Sequence, residues 1–238
     1  MAELGAIKAL TFDVFGTVVD WRTSVAREAE ALLKPKGHVL DWGAFADRWR
    51  AGYGPAMAQV SRGERPFVIL DVLHREILVK VLAAAGVTGL SEAEVDHLNW
   101  AWHRLDPWPD TVAGLIRLKR RFILATLSNG NIRLMIDVAK RAGLPWDAIL
   151  GAEVSGFYKP TPPSYDKTAA FLQLAPSECM LVAAHPSDLA AAASRGFRTA
   201  YVHRPNEFGP AGDRMRPDRG AFDIHVDSFE ELATTLGV

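Results

Sequence analysis

Four short stretches of this sequence place reactive or hydrogen-bonding side chains where apolar runs end. Asp13 closes the run Ile7 to Phe12 and opens Asp13-Val14-Phe15-Gly16-Thr17; Ser128 and Asn129 follow Phe122 to Leu127; Lys159 stands between Tyr158 and Pro160; His185 and Asp188 follow Met180 to Ala184. A carboxylate that ends a buried strand can serve as a nucleophile, or it can simply cap the next turn. The hydroxyl of Ser128 and the amide of Asn129 can orient a substrate and bind an anion, and they are equally suited to capping a helix. Lysine beside a carboxylate keeps it ionised and can hold a second carboxylate, although a loop lysine standing alone is ordinarily just exposed. Asp188 reads as a partner for Lys159 and for a water molecule, or as a first-turn Asp favoured by the helix dipole. His185, three residues earlier, can be a donor, a water partner, a selectivity element or a structural group.

The elements that would position these groups follow from periodicity. The apolar runs Ile7 to Phe12, Phe122 to Leu127, Met180 to Ala184 and Thr199 to Val202 read as buried strands. Helical patterns over Asp110 to Arg121, Asn131 to Ala142, Pro163 to Leu172 and Pro186 to Arg195 separate them. Alternating strands and helices predict an α/β fold with a doubly wound parallel sheet, whose reactive groups gather at the strand carboxyl ends. Between the first strand and the rest, the sequence is helical throughout: Thr23 to Leu33, Trp42 to Ser61, Val68 to Ala85 and Ser91 to Arg104. The expected organisation is a core of residues 1–19 and 106–238 with an inserted helical cap of residues 20–105, closing over a small substrate and excluding water. Pro205 to Arg219, rich in Pro, Gly and charge, reads as a surface loop before a last strand near Phe222 to Val226.

Composition narrows the class. With 238 residues, 49% hydrophobic and 23% charged, the chain can bury a substantial core, and a net charge of −1 offers no broad basic face for nucleic acid. The one dense basic run, Arg117, Lys119, Arg120 and Arg121, falls at an expected helix end and reads as a solvated terminus. The single cysteine, Cys179, lies in a strand-like run and reads as packing. The start of the chain lacks the basic and apolar regions of a secretory signal, and no apolar run reaches membrane-spanning length. A soluble cytoplasmic protein is expected.

In this order and on this fold, the four stretches resemble the four motifs of the haloacid dehalogenase superfamily, over nearly the whole chain. Length, helical cap and first motif are most similar to the 2-haloacid dehalogenase (type II) branch. The resemblance makes Asp13 a covalent nucleophile, with Lys159, Asp188 and His185 as further catalytic groups and Val14, Phe15, Thr17, Ser128 and Asn129 around the substrate. Position 15 separates reactions within the superfamily. Its phosphatases carry a second Asp there as general acid, and this chain has Phe15. Halide leaves without a proton, so a missing acid is compatible with dehalogenation and removes what phosphoester cleavage requires. The same absence argues against a required metal, and no cofactor is expected. The chain departs from the branch at His185, where the pattern Ser-Ser-Asn-x-x-Asp has Asn.

The branch also uses a cap arginine to receive halide. Arg48-Trp49-Arg50-Ala51-Gly52-Tyr53 offers two, and Arg50, which follows Trp as in the family, is preferred to Arg48; the two point to different helix faces. Trp42 and Trp49 can line the pocket or pack the cap. The expected reaction turns short 2-haloalkanoic acids into 2-hydroxy acids and free halide through an aspartyl ester. Fluoroacetate is a possible substrate if His185 donates to the small, strongly hydrated fluoride. The alternatives are a metal-dependent phosphatase or phosphonate hydrolase, and a non-catalytic member that binds a small anion or a protein. The resemblance further suggests a homodimer.

Overall fold

The computed structural model describes residues 4–209 and 216–238. The first strand, β1 (Ala9–Phe12), is buried at every residue and ends at Asp13. Gly16 then turns the chain with φ of +86°, into the two-residue strand β2 (Val19–Asp20). Five helices come next: α1 (Trp21–Leu33), α2 (Trp42–Ala51), α3 (Tyr53–Ser61), α4 (Leu70–Ala84) and α5 (Glu92–Asn99), with a 3-10 turn at Trp100–His103. The chain returns through β3 (Asp106–Pro107), which pairs antiparallel with β2, so the helical cap is joined to the core at a two-stranded neck.

Beyond the neck come α6 (Thr111–Leu118), β4 (Ile123–Ser128), α7 (Ile132–Ala142), β5 (Ala148–Gly151), α8 (Ala152–Ser155) and α9 (Pro162–Phe171). The remainder is β6 (Cys179–Ala183), α10 (Pro186–Ala193), β7 (Arg198–Val202), β8 (Ile224–Val226) and α11 (Phe229–Thr235). The six long strands form one parallel sheet in the order β5-β4-β1-β6-β7-β8. β1 is central, with β4 on one side and β6 on the other, and the chain reverses its direction of travel across the sheet there. A crevice opens at such a point outside the strand carboxyl ends, where Asp13, Asn129 and His185 emerge.

Several elements differ from the sequence expectation for visible reasons. Trp42 to Ser61 is two helices, because Gly52 meets α4 so closely that an added Cβ would lie 2.5 Å from Ile77 Cγ2. Ser91 to Arg104 tightens from α5 into a 3-10 turn. β5 and α11 were not expected; β5 is short and half-buried, and so lacks the apolar run that marks a buried strand. The basic run does lie at the end of α6, with Lys119, Arg120 and Arg121 exposed, and it is also tied to neighbouring segments. Arg117 donates to the carbonyls of Glu230 (3.1 Å) and Val238 (2.6 Å), Arg121 donates to that of Leu236 (3.1 Å), and Lys119 pairs with Asp147 at 2.7 Å. The two arginines thus tie the end of α6 to carbonyls in and just beyond α11. Among the described residues, no helix is long and apolar enough to cross a membrane.

Candidate active site

Three strand ends and one loop converge on Asp13. Its Oδ1 accepts from Lys159 Nζ at 3.0 Å, and its Oδ2 accepts from Thr17 Oγ1 at 2.8 Å and pairs with His185 Nδ1 at 2.8 Å. The Lys159 ammonium also donates to Asp188 Oδ2, so one cation bridges two carboxylates. Asp188 Oδ1 accepts from the Tyr165 hydroxyl at 2.6 Å. Lys159 is held through its backbone, where its N–H donates to Asn129 Oδ1 at 2.7 Å. Each of these groups arrives from a segment flanking the centre of the sheet, which is why residues 13, 129, 159 and 188 meet despite their separation.

Above them is a cavity of about 270 Å³ lined by Asp13, Phe15, Asn129, Lys159, His185 and Asp188 from the core, and by Arg50 and Tyr53 from the cap. The Arg50 guanidinium carbon lies 3.9 Å from the centre of the Tyr53 ring. Arg48 is exposed and lines a separate depression between α3 and α4. The two arginines thus serve different faces of α2.

Four of the expected substrate contacts lie behind the cavity wall. Val14, Thr17, Ser128 and Trp49 are fully buried and do not line it. Thr17 and Ser128 are spent on internal bonds, Thr17 to Asp13 and Ser128 Oγ as acceptor for Gly130 N–H at 3.0 Å. Trp49 donates its indole N–H to the His74 carbonyl at 2.9 Å and packs edge-on to Phe45 and Trp102. The spacing Phe45, Ala46, Trp49 already marks it as part of the helix's packed stripe.

Other residues were not found by sequence reasoning. Tyr53 stands three residues after Arg50, a spacing that could have placed both on one face. Tyr165 gave no local signal. Glu207 lies in the stretch read as a surface loop, yet it is 1% exposed. Its Oε1 accepts from Trp21 Nε1 at 3.1 Å and pairs with His185 Nε2 at 3.0 Å. Burial of a charged group without partners is costly, and Glu207 is buried because Trp21 and His185 supply them. Part of the same stretch, residues 210–215, lies outside the described residues.

The family model for haloacid dehalogenase-like hydrolases matches residues 7–196. The chain belongs to that family, in its 2-haloacid dehalogenase branch. The crystal structure of a defluorinating L-2-haloacid dehalogenase is 45% identical, with a TM-score of 0.94 and a match covering 98% of this chain and 96% of that one. A second L-2-haloacid dehalogenase structure is 43% identical, with a TM-score of 0.92 over 97% of this chain and 98% of the other. An (S)-2-haloacid dehalogenase of Xanthobacter autotrophicus is 30% identical over 206 residues, 83% of this chain and 76% of its own length.

Electrostatics in this dehalogenase-family site are set by close pairing under burial. Burial acts to raise the Asp13 pKa, but the charges of Lys159 and His185 and the bonds from His185 and Thr17 outweigh it and hold the carboxyl well below the usual range. Burial acts to lower the Lys159 pKa, and the Asp13 and Asp188 carboxylates more than reverse it, keeping the ammonium charged. His185 is likewise opposed by burial and raised to about 9 by Asp13 and Glu207. Burial and the Asp188 charge push the Tyr165 hydroxyl up, so that it stays a donor.

The residues present do not fit the magnesium site of the superfamily's phosphatases. Lys159 fills the position between the Asp13 and Asp188 carboxylates, and the other Asp13 oxygen is taken by Thr17 and His185. Carboxylates already neutralised by an ammonium offer little to a divalent cation.

Proposed function

We propose that the protein hydrolyses short (S)-2-haloalkanoic acids to 2-hydroxy acids through an ester on Asp13. The observation that carries this reading is an ionised carboxylate on the floor of a small cavity, opposite a cap arginine, with Phe15 where a phosphatase keeps its acid. A volume of about 270 Å³ suits an acid of two or three carbons.

In the first step, Asp13 attacks the carbon bearing the halogen. The C–O bond forms as the C–X bond breaks, and halide leaves with the electron pair towards Arg50 and Asn129. Lys159, which has three donors and spends two on Asp13 and Asp188, offers the third to the substrate carboxylate. In the second step, water attacks the ester carbonyl and gives a proton to Asp188. The alkoxide that departs takes a proton from Lys159, which recovers one from Asp188, and Asp13 returns to its carboxylate by releasing the remaining proton to solvent. Correct placement in the first step is worth up to about 7–11 kcal/mol of barrier, so no strong acid is needed.

The deciding experiment measures halide release from chloroacetate and 2-chloropropionate beside phosphate release from a generic phosphoester, all with a chelator present. Halide without phosphate is expected; phosphate alone, or neither, overturns the reading. We extend the proposal to fluoroacetate, since a protein 45% identical is a defluorinating enzyme by name. With both His185 ring nitrogens engaged, by Asp13 and by Glu207, we assign reception of fluoride to Arg50 and Asn129 in place of His185. On family resemblance we also assign the protein to the cytoplasm as a homodimer, to be checked by fractionation and sedimentation.

A further inference from the structure

We propose that the two oxygens of Asp13 have separate duties. Oδ1 attacks carbon and carries the ester, whereas Oδ2 takes the oxyanion of ester hydrolysis, received by Thr17 and by a His185 N–H that Glu207 holds in place. This rests on the dehalogenase reading and divides its two steps between two sets of residues.

The hydrogen bonds distinguish the oxygens. Thr17 Oγ1 accepts from the Ala184 N–H at 2.9 Å, which directs its own proton to Asp13 Oδ2 at 2.8 Å. His185 Nδ1 reaches the same oxygen at 2.8 Å. Two donors occupy the two lone-pair directions of Oδ2 and leave none for attack on carbon. Among the described residues Oδ1 has one partner, Lys159 at 3.0 Å, which leaves it a lone pair for the substrate. Once the ester forms on Oδ1, Oδ2 becomes its carbonyl oxygen, and both donors already stand where negative charge develops when water attacks Cγ.

Glu207 makes His185 a donor at both nitrogens. An imidazole between two carboxylates, Asp13 at Nδ1 and Glu207 at Nε2, can satisfy both only with a proton on each nitrogen. Glu207 is itself fixed by the Trp21 indole and by contact with Gly16, where an added Cβ would lie 2.1 Å from Oε1. Among the described residues, the charged groups facing His185 from its surroundings are Asp13, Glu207, and the cap's Arg50 and Asp47, with Lys159 and Asp188 across the cavity and the Tyr53 hydroxyl beside Arg50. Glu207 touches neither substrate nor the reacting atoms in this scheme; it is a positioning residue.

The test is rapid-quench analysis of chloroacetate turnover by wild type, Glu207→Gln and His185→Ala, which removes the N–H donor that Asn would keep. In both variants, one equivalent of chloride per site should appear in a burst within about threefold of the wild-type rate. Steady turnover should then be about 10²-fold slower, the cost of one oxyanion donor, with an ester of unhydrolysed substrate on Asp13 visible by mass. The ester-hydrolysis rate of wild type should fall as pH rises and His185 loses its proton, with the limb below the value of about 9 that His185 has in the resting enzyme, because the ester removes the Asp13 charge that raises it. In Glu207→Gln that limb should move to lower pH, a shift that a purely structural role would not produce. Loss of the burst would show that His185 and Glu207 serve attack on carbon, and an ester-hydrolysis rate that rises as His185 loses its proton would make neutral His185 the base; either overturns the assignment. Absence of chloride from wild type would instead defeat the dehalogenase reading.

Discussion

The floor and the roof of the cavity solve different problems. On the core side every charge is matched: Asp13 and Asp188 share Lys159, and His185 joins Asp13 to Glu207. On the cap side Arg50 has no carboxylate within salt-bridge reach among the described residues and rests against the Tyr53 ring. A network fully paired at rest holds its members to fixed positions, which a covalent step requires. A cation backed by an aromatic face keeps its hydrogen-bond donors for an anion that arrives or departs. On the proposed mechanism, the chemistry is built into the core, and selection of the leaving group into the cap.

The largest effect should come from the floor. Asp13→Asn keeps the shape and removes the nucleophile, and should lower halide release by about 10⁴-fold or more while circular dichroism stays unchanged. Residual turnover near the wild-type level would end the covalent scheme, as would single-turnover oxygen label from water appearing in product and never in Asp13. The roof comes next. Arg50→Ala should lose about 10²–10³-fold in kcat, whereas Arg48→Ala should stay within about twofold; a reversed ranking would move the halide site to the other face of α2.

Two stability measurements sharpen the contrast. Gly16→Ala forces a side chain into a positive-φ position and against Glu207, and should cost about 1–3 kcal/mol by denaturant titration. An unchanged midpoint would show that the floor is not tightly packed there. The smallest effect concerns pH. His185 has a folded pKa raised to about 9 against an unfolded value of about 6.5. Its charge thus contributes stability in full below about 6.5, and that contribution is lost as pH rises through about 9. Wild-type Tm, measured relative to His185→Asn, should fall between those values, while Arg50→Ala should show no such titration against wild type.

Much of the floor could be read from the sequence because strand ends announce themselves. The runs before Asp13, Ser128 and His185 are apolar and short, and the first polar residue beyond a buried parallel strand must emerge near its carboxyl edge. Burial behind the surface is another matter. Thr17 and Ser128 occupy the motif positions expected of them, but sequence cannot distinguish a side chain that lines a cavity from one that supports its wall. Glu207 was hidden for a different reason. Its partners are 22 residues away at His185 and 186 away at Trp21, and its own neighbourhood has the composition of solvent-exposed chain. The cap was legible as helices, yet its elbow at Gly52 depends on contact with Ile77, which no local pattern records.

The central position of β1 also sets the order in which the molecule can be assembled. The cap helices are contiguous, from Trp21 to the 3-10 turn ending at His103, whereas β1 pairs with strands that begin at Ile123 and Cys179. During synthesis, the contacts among the cap helices can form while the strand of Asp13 still lacks both neighbours. Asp13 is made before Lys159, His185 and Glu207, and it is enclosed only once all three have followed it. Charge-paired burial of Asp13 is therefore a late event, and the bonds from the roof to Asn131, Asp137, Tyr158 and Glu207 are made only as the floor is finished.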